Sequence, residues 1–206
     1  VEAIIRRRRT TSAQRMLDAT AELLRAGERF ADLSVERIIT SANASRSTFY
    51  QHFGDKTELI QRVAEPSVDA FITASNTWWQ RADWASWQSL TDVIAQMFAL
   101  ARENAEIWAA YLETAESDRE FAAALRNTLA SYTATMAERL EGERRRGIVS
   151  AEVDPLQTAR FIVTATRASL IDALADRAED EDAAMAQTLG RTFWLAMYGR
   201  VEEKGS

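Results

Sequence analysis

Residues 34–58, Ser-Val-Glu-Arg-Ile-Ile-Thr-Ser-Ala-Asn-Ala-Ser-Arg-Ser-Thr-Phe-Tyr-Gln-His-Phe-Gly-Asp-Lys-Thr-Glu, constrain the fold more than any other stretch of the chain. They predict two short helices joined by a tight turn, followed by the capped start of a longer helix. Ser34 has the chemistry to cap the first, with Glu36 near its positive end. Val35, Ile38, Ile39 and Ala42 supply its apolar stripe. Asn43 falls where the chain must turn sharply, and Asn tolerates the left-handed backbone better than most residues. Ser45 caps the second short helix, and Asp55 with Glu58 has capping-box spacing at the third, with Asp in place of Ser or Thr. Within the second helix, Phe49 and Phe53 are four apart and stack on one side. Arg46, Ser47, Thr48, Tyr50 and Gln51 are polar or amphipathic, and several point outward together. A short helix that buries one side and offers hydrogen-bonding groups on the other fits the major groove of DNA.

The remaining pattern is helical throughout. Only two prolines and seven glycines interrupt 206 residues, and 47% of them are hydrophobic, enough for a substantial core. Thr11 and Gln14 have capping-box spacing before Met16, Leu17, Thr20, Leu23 and Leu24, so a first helix is expected at about 11–26, stopped by Gly27. The short helices are expected at about 34–42 and 45–52. A fourth helix starts at Asp55 and reaches about 81, with Pro66 either kinking it as a hinge or beginning a new helix after Glu65. Further helices are expected at about 87–103, 105–115 and 118–146, the last closed by Gly147 after Arg144 to Arg146. Asp154-Pro155-Leu156-Gln157 opens a helix at about 155–177, and a final one covers about 181–201. Phe30, Leu33, Phe49 and Phe53 are the expected core of the small N-terminal domain.

Charge is unevenly spread. Residues 1–60 hold ten Lys/Arg against eight Asp/Glu, and residues 61–206 hold fifteen against twenty-three. A basic N-terminal part on an acidic carrier suits a local DNA-binding surface. The chain has no cysteine, which excludes disulfides and thiolate metal sites and is compatible with a reducing cytoplasm. The lone histidine, His52, cannot build an all-histidine metal site and sits in the short-helix motif. No Gly-rich phosphate loop or cysteine nucleophile is present, so no enzyme is expected. No apolar run approaches the ~20 residues that span a membrane, and no apolar stretch follows Arg6 to Arg9 as it would in a signal peptide.

The run Ser45-Arg46-Ser47-Thr48-Phe49-Tyr50-Gln51-His52-Phe53, then Gly54-Asp55-Lys56 and Leu59, resembles the DNA-binding domain of the TetR family of transcriptional regulators. The resemblance is sharp over about residues 10–60 and architectural beyond. One departure is Asn43, where the family often has Gly. It implies an all-α fold of about nine helices, with a helix-turn-helix domain at 1–54 and a ligand-binding and dimerisation domain at 55–206. It also implies no cofactor. The DNA-binding set it implies comprises Arg6, Arg7, Arg8, Arg9, Thr11, Ser34, Ser45, Arg46, Ser47, Thr48, Tyr50, Gln51, His52 and Lys56. Arg6 to Arg9 form either a DNA-contacting arm or a solvated tail, and Tyr50 and His52 are phosphate contacts by analogy.

The tryptophan-rich remainder suits an aromatic-walled pocket for a largely apolar ligand. Its candidates are Trp87, Met97, Phe98, Trp108, Tyr111, Phe121, Tyr132, Met136, Phe161, Thr166 and Trp194; any one of them reads first as ordinary core, and the set as a cavity. Trp194 and Thr166 gain from the ending Trp194-Leu-Ala-Met-Tyr198-Gly199, which is similar to that of the mycobacterial ethionamide-resistance repressor. The last two helices carry an apolar stripe of Phe161, Ile162, Ala165, Ala168, Ser169 and Ala173, then Leu189, Phe193, Met197 and Val201. The family implies that they pair with a second copy; the alternative is an intramolecular core face. A homodimer matches a palindromic duplex. The expected activity is ligand-released repression, with activation or a protein-binding adaptor role as alternatives.

Overall fold

The computed structural model describes residues 11–79, 86–175 and 178–199. Among them are nine α-helices, one short 3-10 turn and no strand: α1 (Ser12–Arg25), α2 (Val35–Ser41), α3 (Arg46–His52), α4 (Lys56–Trp79), α5 (Trp87–Arg102), α6 (Ala105–Ser117), α7 (Arg119–Arg145), α8 (Pro155–Ala175) and α9 (Asp182–Tyr198). Each boundary lies within a few residues of its sequence expectation. Pro66 does not begin a new helix, because α4 runs through it. A proline costs one backbone bond and crowds the preceding turn, and a helix of 24 residues retains the bonds on either side. None of the helices is long and apolar enough to cross a membrane.

The chain divides into two compact units: the described residues of Val1–Pro66 with Glu106–Asp118, and those of Ser67–Ala105 with Arg119–Ser206. In the first unit, serine and threonine hydroxyls start the helices. Thr11, Ser34 and Ser45 accept from the backbone N–H of Gln14, Arg37 and Thr48, each at 3.1 Å. Gln14 itself donates through its side-chain amide nitrogen to Asp18 at 2.8 Å. Two helices end alike. At α1, Glu28 N–H donates to the Leu23 carbonyl and Gly27 to Leu24; at α2, Ala44 donates to Ile39 and Asn43 to Thr40. This closure needs a left-handed residue, supplied by Gly27 (φ 89°) and Asn43 (φ 47°). Phe30, Leu33, Phe49 and Phe53 fill the core with Met16, Ile38, Leu59 and Ile60. From α6, Ile107 and Trp108 are buried, and Glu113 pairs with Arg29 at 3.0 Å.

In the second unit α5 packs along α9 at close range. A Cβ on Gly190 would lie 2.9 Å from both Cα and N of Thr91, so the helices meet where α9 has no side chain. Arg102, at the end of α5, pairs with Asp182 at the start of α9. α7 ends with Gly147 at φ 74°, its N–H on the Arg144 carbonyl. Asp154 then opens α8 by accepting from the N–H groups of Leu156 and Gln157, both at 3.0 Å.

The apolar stripe expected to meet a second copy divides between the two helices. On α9, Leu189, Phe193 and Met197 are buried within this unit; on α8, Ile162 and Ala173 are buried, Ala165 and Ser169 are half-buried and Ala168 is exposed. Phe161 is exposed, and Val201 lies outside the described residues. The outward apolar residues of these helices include Leu156, Phe161 and Leu195.

Gly190→Ala forces α5 and α9 apart and is expected to lower stability by about 1–3 kcal/mol, measured by chemical unfolding. At the α2–α3 turn, Asn43→Gly should be tolerated and Asn43→Val should lower the melting temperature, because a β-branched residue resists positive φ.

Candidate nucleic-acid interface

The two sides of α3 differ as completely as a seven-residue helix allows. Phe49 is 0% exposed and Phe53 at its end 1%, with their rings 5.4 Å apart. Arg46, Ser47, Tyr50, Gln51 and His52 are exposed, and Thr48 is half-buried. Tyr50 keeps 50% of its surface open while its ring sits edge-on to Phe49 at 5.2 Å. Its position is therefore set by core packing, and its hydroxyl is available to solvent.

Ser45 is exposed and its hydroxyl is shared. Besides capping Thr48 N–H, it lies 2.9 Å from Ser47 Oγ and 2.8 Å from Thr48 Oγ1. Three hydroxyls thus cluster at the start of α3, together with the positive end of the helix. Arg46 leaves this end toward α2, where its guanidinium pairs with Glu36, and it also stands 5.6 Å from the Tyr50 ring centre. Both members of the pair are well exposed, so the contact is weak and exchangeable.

The far end of α3 is held by a residue that sequence reasoning missed. Arg62 on α4 donates to the His52 carbonyl at 3.1 Å and lies over the Phe53 ring at 4.8 Å. Its spacing from His52 and Phe53 carries no motif signal. Arg15 likewise donates to the Ala42 carbonyl at 3.2 Å, ahead of the turn into α3. Arg37 reaches Glu28 through two nitrogens, and that hydrogen bonding holds the Glu28 carboxyl below its ordinary range.

Thr11 and Ser34 are exposed caps of α1 and α2. Lys56 is placed differently from the rest. Its ammonium donates to the Phe30 carbonyl at 2.8 Å and sits 4.7 Å from the Phe30 ring centre. Burial there lowers its pKa, against the opposing charge of Asp32. The start of α4 is capped by Asp55, which accepts from Glu58 N–H at 2.8 Å; Glu58 returns to Gly54 N–H at 2.7 Å. The reciprocal bond thus closes one residue earlier than the spacing implied. Arg6, Arg7, Arg8 and Arg9 lie outside the described residues.

The eleven pocket candidates fall in both units. Trp108 and Tyr111 belong to the first, with rings 6.0 Å apart, and the other nine to the second. Met97, Phe98, Trp108, Phe121 and Met136 are buried; Trp87, Tyr111, Tyr132, Thr166 and Trp194 are half-buried; Phe161 is exposed. In the second unit an aromatic cluster gathers around Trp78, a residue absent from that set. Its ring lies 6.5 Å from Trp194, 6.4 Å from Tyr198 and 4.7 Å from Trp79. The Trp78 indole N–H is buried and meets no acceptor among the described residues. Tyr198 donates to Glu143 at 2.9 Å, and burial, reinforced by that carboxylate, pushes its hydroxyl far above the usual range. Tyr132 is hydrogen-bonded to Ser75.

The buried and presented sides of α3 are separable by stability. Phe49→Ala is expected to cost about 3–5 kcal/mol, whereas Ser47→Ala and Gln51→Ala should stay within about 0.5 kcal/mol of the parent in chemical unfolding.

A sequence profile of the family described as "Bacterial regulatory proteins, tetR family" matches residues 16–63, a span that holds α2, α3, most of α1 and the start of α4. No curated protein matches the chain. Among solved structures, a Syntrophomonas wolfei protein assigned to the TetR-family transcriptional regulators is 16% identical, covers 88% of this chain and 93% of its own, and has a TM-score of 0.68. A TetR-family transcriptional regulator of Pectobacterium atrosepticum is 17% identical, with coverages of 93% and 96% and a TM-score of 0.67. GusR of Salmonella enterica is 21% identical, with 90% and 95% covered and a TM-score of 0.65. At these identities the structures establish the shared fold, and the profile match establishes the N-terminal domain. On these two grounds, residues 16–63 match the DNA-binding domain of the TetR family, and the chain shares the fold of the TetR-family regulators among those structures.

Proposed function

We propose that the protein is a cytoplasmic homodimeric repressor that reads a palindromic operator through α3 and releases it when a largely apolar or aromatic small molecule binds. The observation that carries this reading is the division of α3, with Phe49 and Phe53 sealed in the core and Arg46, Ser47, Tyr50 and Gln51 presented together. A helix held this way offers Arg and Gln to base edges while Tyr50, His52 and the Ser45 cluster meet phosphates. The DNA-reading part is residues 1–54, with Arg6 to Arg9 on the phosphates or in the minor groove. Residues 55–206 bind the ligand and the second copy. The orphaned Trp78 N–H supports an apolar ligand with one acceptor near Trp194 and Tyr198. Ligand affinity that differs between DNA-competent and incompetent states shifts the population between them.

Selection from random duplex DNA across a salt series tests the reading. A recovered palindrome bound with a steep salt slope supports it. On that duplex, Thr48→Ala and Tyr50→Ala should each weaken binding by about 1–3 kcal/mol while the protein stays folded. Glu36→Gln should act in the opposite direction. It frees Arg46 and removes a negative charge beside α3, so affinity should rise at low salt and the slope should steepen by about one unit. Unchanged binding by all three variants would sink the assignment of α3.

The dimer is tested separately. Phe161→Glu and Leu195→Glu add charge to the outward faces of α8 and α9, and sedimentation should show monomers with retained helicity. Leu189→Glu should unfold the protein instead, because that side chain is already core.

A further inference from the structure

A groove of about 760 Å³ runs between α7 and α8 in the second unit, and none of the eleven pocket candidates lines it. Its α8 wall is built by Leu156, Arg160, Val163, Thr164, Arg167 and Ile171, which recur at three- and four-residue intervals and so share one helix face. Leu129 faces them from α7. The volume is that of a small-molecule site.

The two arginines set this groove apart. Arg160 and Arg167 are exposed, and neither makes an ion pair or hydrogen bond with a described residue. By contrast Arg102, Arg144 and Arg145 in the same unit are each matched to a carboxylate. The surrounding sequence is acidic, with fifteen Lys/Arg against twenty-three Asp/Glu over residues 61–206, yet these two cations stand unneutralised beside an apolar wall. Seven residues apart, they are separated by two helical turns, a rise of about 10.5 Å. Val163 and Thr164 lie between them.

We infer that the α7–α8 groove binds an amphipathic carboxylate, with its hydrocarbon chain along Leu129 and Val163 and its head on Arg160 or Arg167. A neutral apolar molecule would leave the guanidinium groups unused, and an inorganic anion would leave the wall uncovered. A carboxylate with an elongated chain uses both, and arginine holds the head through paired N–H donors. The site does not depend on the DNA-reading assignment, since no DNA enters its test.

Titration calorimetry of the full chain with decanoate at low ionic strength, alongside 1-decanol, is the experiment. Decanoate should bind saturably, and decanol should bind at least about tenfold more weakly. The Arg160→Gln/Arg167→Gln variant should lose about tenfold or more in decanoate affinity with its helicity unchanged. Ala134→Trp, which fills the groove from α7, should abolish binding without removing either arginine. Equal binding of decanoate and decanol, or undiminished binding by both variants, overturns the proposal. So does a failure of decanoate to bind. If in that case the arginine variant also sediments as a smaller species than the parent, a second copy of the chain occupies the groove.

Discussion

Burial of the Phe49 and Phe53 rings is the constraint on which the presented surface depends. α3 has seven residues, too few to be stable alone. Its orientation comes from two rings held among Met16, Ile38, Leu59 and Ile60, and from Arg62, which satisfies the His52 carbonyl and covers Phe53. With one side fixed, the other can only face outward. Tyr50 couples the two, since its ring rests against Phe49 while its hydroxyl remains in solvent. The specificity of such a helix is built from rigid placement, which removes the cost of ordering side chains at the moment of contact.

Electrostatics then tune what the core has positioned. Arg46 is engaged by Glu36, an exposed partner that another anion can displace. Lys56 has gone the other way, trading solvent for the Phe30 carbonyl and ring, so that it ties α4 to the segment between α1 and α2. Equal formal charges in one motif thus serve separate ends, one available and one structural. In the second unit the comparable device is a missing side chain. Gly190 lets α9 approach α5 at Thr91, and the Arg102–Asp182 pair fixes the same two helices at their ends.

Much of this was legible in the sequence for local reasons. Capping is a contact between near neighbours, so Ser34, Ser45, Asp55 and Asp154 announce helix starts without knowledge of the fold. Asn43 could be placed in a turn because few non-Gly residues adopt positive φ, and it does so at 47°. The four-residue spacing of Phe49 and Phe53 implied a buried side, and both are buried. The outward apolar face of α8 and α9 was not legible. Periodicity marks Leu189, Phe193 and Met197 as one face without saying whether that face meets its own chain or another, and here it meets its own.

The all-helical class, nearly every helix boundary and the motif that presents α3 follow from local signals, because caps, breakers and apolar spacing act within a few residues. The partners that charged and aromatic groups take emerge from packing. Arg62 on His52, Lys56 on Phe30, Trp78 among Trp194 and Tyr198, and the unpaired Arg160 and Arg167 beside an α7 wall all depend on segments distant in the chain or on the packing of separate helices. Such contacts carry no local spacing signal, and they exist only once the helices have packed.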